Sequence, residues 1–492
     1  MSHSVQKSTS STFRVAIIGT GFSGLCLAIQ LKKAGIDTVT LFEKSDRVGG
    51  TWRDNTYPGA ACDTPAFSYC YSFEQKTDWS RLWAPQKEIL QYIEHCAEKY
   101  DLLRHIRLQT EIASAHFDEQ TQTWKLVTTE GEEIEADVLV SGVGQLNRPV
   151  IPQLAGLDQF KGPYFHSARW DHGCDLKDKT VAVIGNAASA VQFVPKIAHL
   201  AKRVRVFQRS ANWMIRKHDR PYTETEKQRF ASSPLRAKLH RWGFWWRREI
   251  LIPVFRRHRV VSAISTSVSL KSMRRVVTDP EMQRALTPKY PLGGKRILLA
   301  DYYYPALMKD HVDLITDPIE KLTATGVATR DGTHFDADVM IFATGFDSTA
   351  FLSPMKIRGL EGKDIETEWK DGAEAYLGMT VPGFPNFFMM YGPNTNLGHN
   401  SIVFMLECQA NYIVGLLRQL ARKNGRTVEV RRDVMEKHNQ WLQRDLQHTA
   451  WAAADTSWYK NKAGRITNNW SRSTARYWWV TRKPKISQYV QG

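Results

Sequence analysis

The stretch FRVAIIGTGFSG, residues 13–24, decides the fold. It is an apolar, strand-like run that ends in three spaced glycines, Gly19, Gly21 and Gly24, and a helical pattern and a second apolar run, residues 38–42, follow it. In a β-α-β unit, such glycines permit a tight turn, a close approach of backbone to a pyrophosphate, and close packing of helix on strand. The N–H groups at the helix N-terminus then face the anion. The stretch therefore predicts an α/β domain that binds a dinucleotide.

An acidic residue supports a nucleotide ligand for this first unit. Glu43 directly follows the second apolar run, 19 residues after Gly24. A carboxylate at this place accepts hydrogen bonds from ribose hydroxyls. A glycine-rich turn without a ligand would leave Glu43 unexplained.

The same pattern recurs later in the chain, in a modified form. The apolar run at residues 180–184 leads into Gly185, but Ala187 and Ala190 stand where the first copy has glycines. A methyl group at position 187 would hold the backbone slightly farther from a pyrophosphate, so we expect a looser second site. Gly185 and Ser189 of this loop are its candidate cofactor-binding residues.

The residue that corresponds to the acid differs between the two copies. Glu43 lies 24 residues after Gly19, and Arg209 lies 24 residues after Gly185. An arginine at this place would bind the 2′-phosphate of NADPH through two hydrogen bonds, which favours NADPH over NADH. The alternative interpretation of Arg209 is a surface cation at a strand end.

A first nucleotide site with Glu43 at the ribose position, and a second with Arg209 at the corresponding position, together indicate FAD that is reduced by NADPH. A disulfide reductase would also need this pair of cofactors, together with a redox-active dithiol beside the flavin. Cys62 and Cys70 do not have the spacing of such a pair. The sequence therefore favours oxygen as the electron acceptor.

Two further motifs carry a family resemblance. The pattern F-x-G-x-x-x-H-x-x-x-W-D, hereafter the fingerprint segment, is met by Phe160, Gly162, His166, Trp170 and Asp171. A second pattern is met by Gly49, Gly50, Thr51 and Trp52, then by Tyr57, Pro58, Gly59 and Asp63. Both resemble the motifs of type I Baeyer–Villiger monooxygenases, and the resemblance extends over nearly the whole chain. The second glycine loop is the main departure from the family pattern.

The resemblance implies an enzyme that uses FAD, NADPH and O₂ to convert a small hydrophobic ketone to an ester or lactone. In that family, oxygen adds to C4a of the reduced flavin, and the resulting peroxide anion attacks the ketone carbonyl. Arg296 matches the catalytic arginine, and Asp63 is its expected partner. The resemblance also implies cofactor-binding roles for the residues Gly50, Thr51, Trp52, Asp63, Lys295 and Asn394. Lys295 would lie near the same 2′-phosphate as Arg209.

Two other functions remain open at this point. The first is S- or N-oxygenation by a related flavin monooxygenase, although such enzymes usually lack the tryptophan at position 170. The second is a flavin-binding protein without turnover.

The fingerprint segment lies between the two repeated units, so the sequence indicates an interdomain linker with a hinge at Gly162. His166 is interpreted as a hydrogen-bonding anchor that couples domain movement, with a general base as the alternative.

Charge and composition limit the remaining interpretations. The chain has 492 residues and a formal net charge of +17, much of it between Arg236 and Arg275, where basic residues alternate with tryptophans. We interpret this segment as helices with a solvated basic face, and contact with a membrane surface is the alternative. Nucleic acid is not expected as a partner.

The six cysteines show no metal-binding spacing, and no apolar run reaches the roughly 18 residues of a membrane span. A cytoplasmic protein without a metal is expected, and the sequence does not indicate an oligomeric state.

The predicted fold class is α/β, with two nested dinucleotide-binding (Rossmann-like) domains and a helical insertion in the NADPH domain. The predicted boundaries are the first part of the FAD domain (1–150), the interdomain linker (151–175), the NADPH domain (176–220 and 290–340), the helical insertion (221–289), and the second part of the FAD domain with the C-terminal region (341–492).

Overall fold

The computed structural model describes residues 13–454, 457, 459–461 and 463–492. The strands in these residues are β1 (Val15–Ile18), β2 (Val39–Phe42), β3 (Ile106–Arg107), β4 (Ile112–Asp118), β5 (Thr123–Thr128), β6 (Glu133–Ala136), β7 (Val138–Ser141), β8 (Tyr164–His166), β9 (Thr180–Ile184), β10 (Arg203–Phe207), β11 (Met214–Ile215), β12 (Leu298–Leu299), β13 (Val312–Ile315), β14 (Ile319–Thr323), β15 (Gly326–Thr329), β16 (His334–Asp336), β17 (Val339–Phe342), β18 (Lys356–Arg358), β19 (Phe387–Met389), β20 (Val428–Val430) and β21 (Tyr489–Gln491). The α-helices are α1 (Phe22–Lys33), α2 (Thr51–Asp54), α3 (Gln86–Lys99), α4 (Ala190–Ile197), α5 (Glu224–Ala231), α6 (Pro234–Glu249), α7 (Ile252–Phe255), α8 (Arg259–Arg274), α9 (Pro280–Ala285), α10 (Tyr303–Leu307), α11 (Ile365–Glu368), α12 (Ile402–Arg422), α13 (Arg432–Leu446) and α14 (Thr474–Thr481).

The first sheet consists of parallel strands in the order β19-β7-β1-β2-β3. Val15 of β1 lies opposite Val39 of β2 on one side and Val138 of β7 on the other. Every residue of β1 and β7 is buried, because a parallel sheet is covered on both faces. This explains why these strands read as apolar runs rather than as alternating patterns.

The second sheet repeats this arrangement with parallel strands in the order β13-β10-β9-β17-β8. All its strands lie between β7 and β19 in the chain, so the second domain is nested within the first. The predicted α/β fold class with two nested dinucleotide-binding domains is confirmed.

The fingerprint segment was expected to be a linker, and in the structure it also forms a strand of the second sheet. Its residues 164–166 form β8, an edge strand of the second sheet, where Phe165 pairs with Ile341 of β17. The position of β8 beside β17 corresponds to that of β19 beside β7 in the first sheet. The strand was not predicted, because three residues are too few to show a periodic pattern.

Each glycine loop follows the central strand of its sheet and is held against the loop that follows a neighbouring strand. Gly19 has a φ of +101°, and a Cβ there would lie 2.7 Å from the carbonyl oxygen of Gly142, just after β7. Gly185 has a φ of +107°, and its Cβ would lie 2.5 Å from the carbonyl oxygen of Ala343, just after β17. Only glycine fits such a left-handed turn at this distance.

The two loops differ in where their helices begin. Helix α1 begins three residues after Gly19, whereas α4 begins five residues after Gly185. In the first loop, the absence of a side chain at Gly24 lets the helix backbone lie directly on the Gly19 carbonyl. Ala190 occupies the corresponding place in the second loop, and its methyl group prevents an equally close approach.

Helices α5 to α9 form an insertion between β11 and β12. These two strands pair in parallel, so the chain leaves the second domain and returns to it at the same place. In the residues that the structure describes, no helix is long and apolar enough to cross a lipid bilayer.

We expect Gly24→Ala to destabilise the fold, whereas Gly21→Ala should leave it intact. A methyl group at position 24 would overlap the Gly19 carbonyl oxygen, while one at position 21 would lie 3.7 Å from Gly50 Cα, an ordinary contact. Overpacking of this kind costs roughly 1–3 kcal/mol. Thermal unfolding of the flavin-free variants should show a lower Tm for Gly24→Ala only, and equal Tm values would contradict this account of the first loop.

Candidate active site

A cavity of about 1560 Å³ lies where the carboxyl ends of the two parallel sheets approach each other. Thr20 and Glu43 from the first domain and Gly185 and Arg209 from the second domain line it. Ligands of open α/β sheets bind at these strand ends. The volume exceeds the roughly 300–1,000 Å³ of a typical single small-molecule site, so the cavity has room for more than one ligand.

The first loop presents a helix N-terminus to the cavity. Gly21 is the N-cap residue of α1, and no side chain accepts a hydrogen bond from the first N–H groups of the helix. The first turn also contains no acidic residue. These N–H groups and the positive end of the helix dipole can therefore bind a phosphate.

Glu43 lies on the cavity wall immediately after β2 and is held in place by its neighbours. Its Oε2 accepts hydrogen bonds from the Thr20 hydroxyl at 2.7 Å and from the Thr20 N–H at 3.2 Å. Its Oε1 forms an ion pair with Arg53 Nη1 at 2.9 Å. Its Oε1 also accepts from the Ser45 N–H at 3.1 Å, so four contacts fix the carboxylate on the cavity wall.

The segment that begins at Gly50 completes the first nucleotide site. Gly50 has a φ of +54°, and a Cβ there would lie 3.2 Å from Gly21 Cα, so the segment lies directly against the first loop. Thr51 and Trp52 follow in α2 and line the cavity. The Trp52 indole N–H donates to the Tyr69 hydroxyl at 3.1 Å, which fixes the orientation of the ring.

The second domain presents two cations side by side. Arg209 follows β10, and Lys295 Nζ donates to the hydroxyl of Ser210 at 3.2 Å. Burial lowers the pKa of Lys295, and the nearby positive charge of Arg209 lowers it further. Among the described residues, no carboxylate forms an ion pair with either cation. Two uncompensated cations on a cavity wall form a site for a ligand anion. Ser189, the N-cap residue of α4, lines the same side.

The two predicted catalytic residues meet on the cavity wall. Arg296 Nη2 lies 3.3 Å from Asp63 Oδ2, although the residues are far apart in the sequence. The Asp63 side chain is 10% exposed and that of Arg296 is 43% exposed, and both line the cavity. Burial would lower the pKa of Arg296, but the Asp63 carboxylate and other nearby groups raise it above its ordinary value. Arg296 therefore remains charged.

Two further cations surround Asp63, and the sequence analysis did not identify them. Lys217 Nζ lies 3.6 Å from Asp63 Oδ1, and the Arg248 guanidinium donates to the Asp63 carbonyl oxygen at 3.5 Å. Both cations lie against the ring of Trp83. Burial lowers the pKa of Arg248. Neither cation belongs to a recognisable motif, because only tertiary packing brings it to Asp63.

Helix α4 of the second domain also reaches Asp63. Gln192 Nε2 lies 3.4 Å from Asp63 Oδ1 and donates to the Ala61 carbonyl oxygen at 3.0 Å, and Gln192 Oε1 accepts from the Tyr57 hydroxyl at 3.0 Å. Gln192 belongs to no motif and was not predicted from the sequence. The helix after the second loop therefore orients the chain around Asp63.

The fingerprint segment packs behind this helix. Trp170 lies edge-on to Phe193 of α4, with ring centroids 5.2 Å apart, and Phe193 in turn contacts Tyr57. Arg169 forms an ion pair with Asp54 at 3.3 Å. The segment thus joins the second domain to the residues that precede Asp63.

The other fingerprint residues stabilise the fold and do not line the cavity. Phe160 is buried in the core, and a side chain at Gly162 would overlap the Asp338 carbonyl oxygen. Asp171 Oδ1 accepts from the Gly173 N–H at 2.9 Å and closes a turn. His166 ends β8, and its Nδ1 accepts from the Ala168 N–H at 3.0 Å. His166 does not line the cavity, so its position agrees with an anchor rather than a general base.

The structure corrects the position expected for Asn394. Its side chain is buried and donates to the carbonyl oxygens of Ile466 and Asn469 at 2.9 and 3.1 Å. It holds the C-terminal segment and does not line the cavity, whereas Asn396 does. The motif match placed the right turn at the cavity but did not show which of its side chains faces inward.

Part of the cavity wall is formed by apolar side chains. Leu251, Val254 and Phe255 of the insertion line it, together with Leu397 and Ile402. Among the described residues, no group of three or more His, Cys, Asp and Glu side chains could hold a metal ion.

Fold and site together define a flavoprotein with two dinucleotide-binding domains around a shared cavity. Residues 12–359 match the family model of the flavin-binding monooxygenase-like proteins. A Baeyer–Villiger monooxygenase of Pseudomonas aeruginosa is 41% identical over 478 residues, which cover 97% of this chain and 91% of the relative. The chain belongs to the flavin-binding monooxygenase-like family, and the resemblance inferred from the two motifs is confirmed.

Solved structures show the same likeness. Oxidized steroid monooxygenase bound to NADP has a TM-score of 0.86 and 28% identity, over 97% of this chain and 99% of that chain. The complex of OTEMO with FAD and NADP has a TM-score of 0.87 and 27% identity, over 98% of this chain and 100% of that chain.

The environment of His166 predicts a pH-dependent contribution to stability. Burial lowers the pKa of His166 from its ordinary value of 6.5 to about 4, so between these values the folded protein binds fewer protons than the unfolded chain. Stability from the neutral ring is therefore complete above pH 6.5 and is lost as the pH falls towards 4. The stability advantage of the wild type over His166→Gln should shrink by about 1.4 kcal/mol per pH unit in this window. Chemical denaturation of both proteins across the window would measure it, and a pH-independent difference would contradict the assignment.

Proposed function

We propose that this protein is an FAD- and NADPH-dependent Baeyer–Villiger monooxygenase that converts a hydrophobic ketone to an ester or lactone with O₂. The observation that carries the proposal is the Arg296–Asp63 ion pair on the wall of a cavity shared by the two nucleotide loops. The pair joins Asp63 of the first domain to Arg296 of the second, on the wall of the cavity that both nucleotide loops line.

The first domain fits FAD. The α1 N-terminus can bind the pyrophosphate, Glu43 can accept the ribose hydroxyls, and Gly21 leaves room for the nucleotide backbone. When bound, FAD would accept a hydride from NADPH and activate O₂, so that one oxygen atom is inserted between the carbonyl carbon and its neighbour and the other leaves as water. The chain itself binds and orients the cofactor and excludes water.

Arg296 supplies a fixed positive charge to the reaction. Negative charge builds up on oxygen during the transfer, and a preorganised cation in a cavity of low dielectric constant stabilises it. Arginine suits this place because it keeps its proton where a lysine could lose it. Asp63 orients the guanidinium, and Gln192 and Lys217 in turn hold Asp63.

The second domain fits NADPH. Arg209 and Lys295 can bind the 2′-phosphate, and the α4 N-terminus can bind the pyrophosphate. The apolar side chains of the insertion, together with Leu397 and Ile402, suit a hydrophobic ketone.

We also propose a cytoplasmic location for the enzyme. The support is the need for NADPH together with six free cysteines, five of them buried. Reduced cysteines are typical of intracellular proteins.

Arg296→Ala should abolish ester formation but preserve reduction of the flavin by NADPH. Loss of one stabilising charge typically costs about 100- to 1000-fold in rate. Hydride transfer creates no negative charge on oxygen, so bleaching of the flavin absorbance by NADPH should proceed, with hydrogen peroxide released instead of ester. Chromatographic analysis of the product and a peroxide assay would measure both.

Arg216→Ala is the matched control, since Arg216 is exposed, pairs with Asp301 and does not line the cavity. Ester formation at a near wild-type rate in Arg296→Ala would contradict the mechanism. Sulfoxide or N-oxide products without any ester from the wild type would instead favour a heteroatom oxygenase.

Arg209→Ala should weaken the use of NADPH far more than that of NADH. Loss of a charged contact to the 2′-phosphate costs about 2 kcal/mol, or roughly 30-fold in kcat/KM for NADPH. Steady-state oxidation of each coenzyme would measure the ratio. Lys202→Ala, an exposed cation just before β10, should leave the ratio unchanged. Equal losses for both coenzymes in Arg209→Ala would refute the phosphate assignment.

A further inference from the structure

Helix α6 carries an apolar stripe that faces outward. The stripe consists of large side chains that are 43 to 69% exposed: Leu235, Leu239, Trp242, Trp246 and Ile250. Steps of four, three, four and four residues place them on one face of the helix. A row of five large exposed apolar side chains is uncommon on the surface of a soluble domain and marks an interaction surface. We call it the α6 stripe.

The opposite side of α6 is firmly anchored in the protein. Trp245 packs on Phe404 with ring centroids 5.8 Å apart, and buried Glu249 accepts a hydrogen bond from Asn400 Nδ2 at 2.9 Å. Arg248 reaches the catalytic Asp63. The exposure of the stripe is therefore a property of the folded helix, because its other face is held in place.

Helix α8 presents a second exposed apolar row. Val260, Ile264 and Val268, at steps of four residues, are 52 to 61% exposed. Lys271 and Arg275 continue the same helical face toward the C-terminal end of α8.

The charge around these two rows is almost entirely positive. Residues 234–276 contain eleven Lys and Arg residues and one acid, Glu249, which is buried. Three of the basic residues form hydrogen bonds or ion pairs with other parts of the protein: Arg241, Arg248 and Arg256. The other eight are exposed, and no ion pair to them occurs in the described part of the chain: Arg236, Lys238, Arg247, Arg257, Arg259, Lys271, Arg274 and Arg275.

We infer that the α6 stripe and the exposed apolar row of α8, with the cations around them, bind reversibly to the surface of an anionic lipid bilayer. Tryptophan and leucine on one helix face, with Lys and Arg on both flanks, are the features of a helix that lies in the membrane interface. The apolar side chains enter the headgroup region, while long basic side chains extend to the lipid phosphates. A symmetric contact with a second copy is less favourable, because it would bring the same eight cations of each copy together.

The inference does not depend on the proposed reaction, because its readout is vesicle binding. The full-length protein would be co-sedimented with vesicles of phosphatidylcholine alone and with vesicles that also contain phosphatidylglycerol. We expect binding to the anionic vesicles, weak or no binding to the neutral ones, and weaker binding as salt concentration rises.

Two double variants separate the apolar and the charged contributions. Leu239→Ser/Trp246→Ser should weaken binding about tenfold or more, because it removes two inserted side chains. Lys238→Ala/Arg247→Ala should weaken binding by about fivefold for each cation removed. Leu103→Ser/Leu200→Ser is the matched control, since these leucines lie outside the insertion and are 52 and 56% exposed. It should bind like the wild type.

Three outcomes would overturn the inference. The first is no binding of the wild type to phosphatidylglycerol vesicles. The second is equal loss of binding in the control and in the stripe variant. The third is a concentration-dependent dimer that Leu239→Ser/Trp246→Ser dissociates, without any vesicle binding, in which case the face joins two copies of the chain. Circular dichroism would verify that each variant is folded.

Discussion

The buried carboxylate of Asp63 is the constraint around which the two domains are arranged. A charge taken out of water is costly unless it is paired and hydrogen-bonded. Here Arg296, Lys217 and Gln192 reach the carboxylate from the second domain, while Arg248 approaches its backbone from the insertion. Four contacts, three from the second domain and one from the insertion, therefore converge on one residue of the first domain. The need to balance this charge places the proposed catalytic cation, Arg296, and the interface between the domains at the same point.

The fingerprint segment supports the residues around Asp63, and it does so through packing. Phe160 and Gly162 fix the course of the chain, β8 completes the second sheet, and Trp170 supports α4 through Phe193. None of these residues lines the cavity. A motif can therefore be diagnostic of a reaction without touching the reacting atoms, because the reaction depends on how precisely two domains are held together.

The sequence predicted those features that are local in the chain. Both glycine loops, Glu43 and Arg209 could be located because each lies at a set distance from a strand that reads as an apolar run. Arg296 and Asp63 were paired only through the family resemblance, and Lys217 and Gln192 were missed. Their roles depend on the relative position of two domains, which leaves no periodic signal in either segment. Asn394 shows the opposite limit, since the motif located the turn but not the direction of each side chain.

The unequal starts of α1 and α4 imply different residence times for the two nucleotides. A nucleotide at the first loop would lie between a helix that packs directly on the turn and the segment at Gly50, as suits a prosthetic group that stays through many cycles. The second loop, whose helix begins two residues later, would offer its ligand mainly the charges of Arg209 and Lys295. Charge contacts at a partly solvated rim form and break quickly, as suits a coenzyme that must be exchanged in every cycle. The two copies of the repeat thus suit two kinds of nucleotide, a prosthetic group that stays bound and a coenzyme that is exchanged.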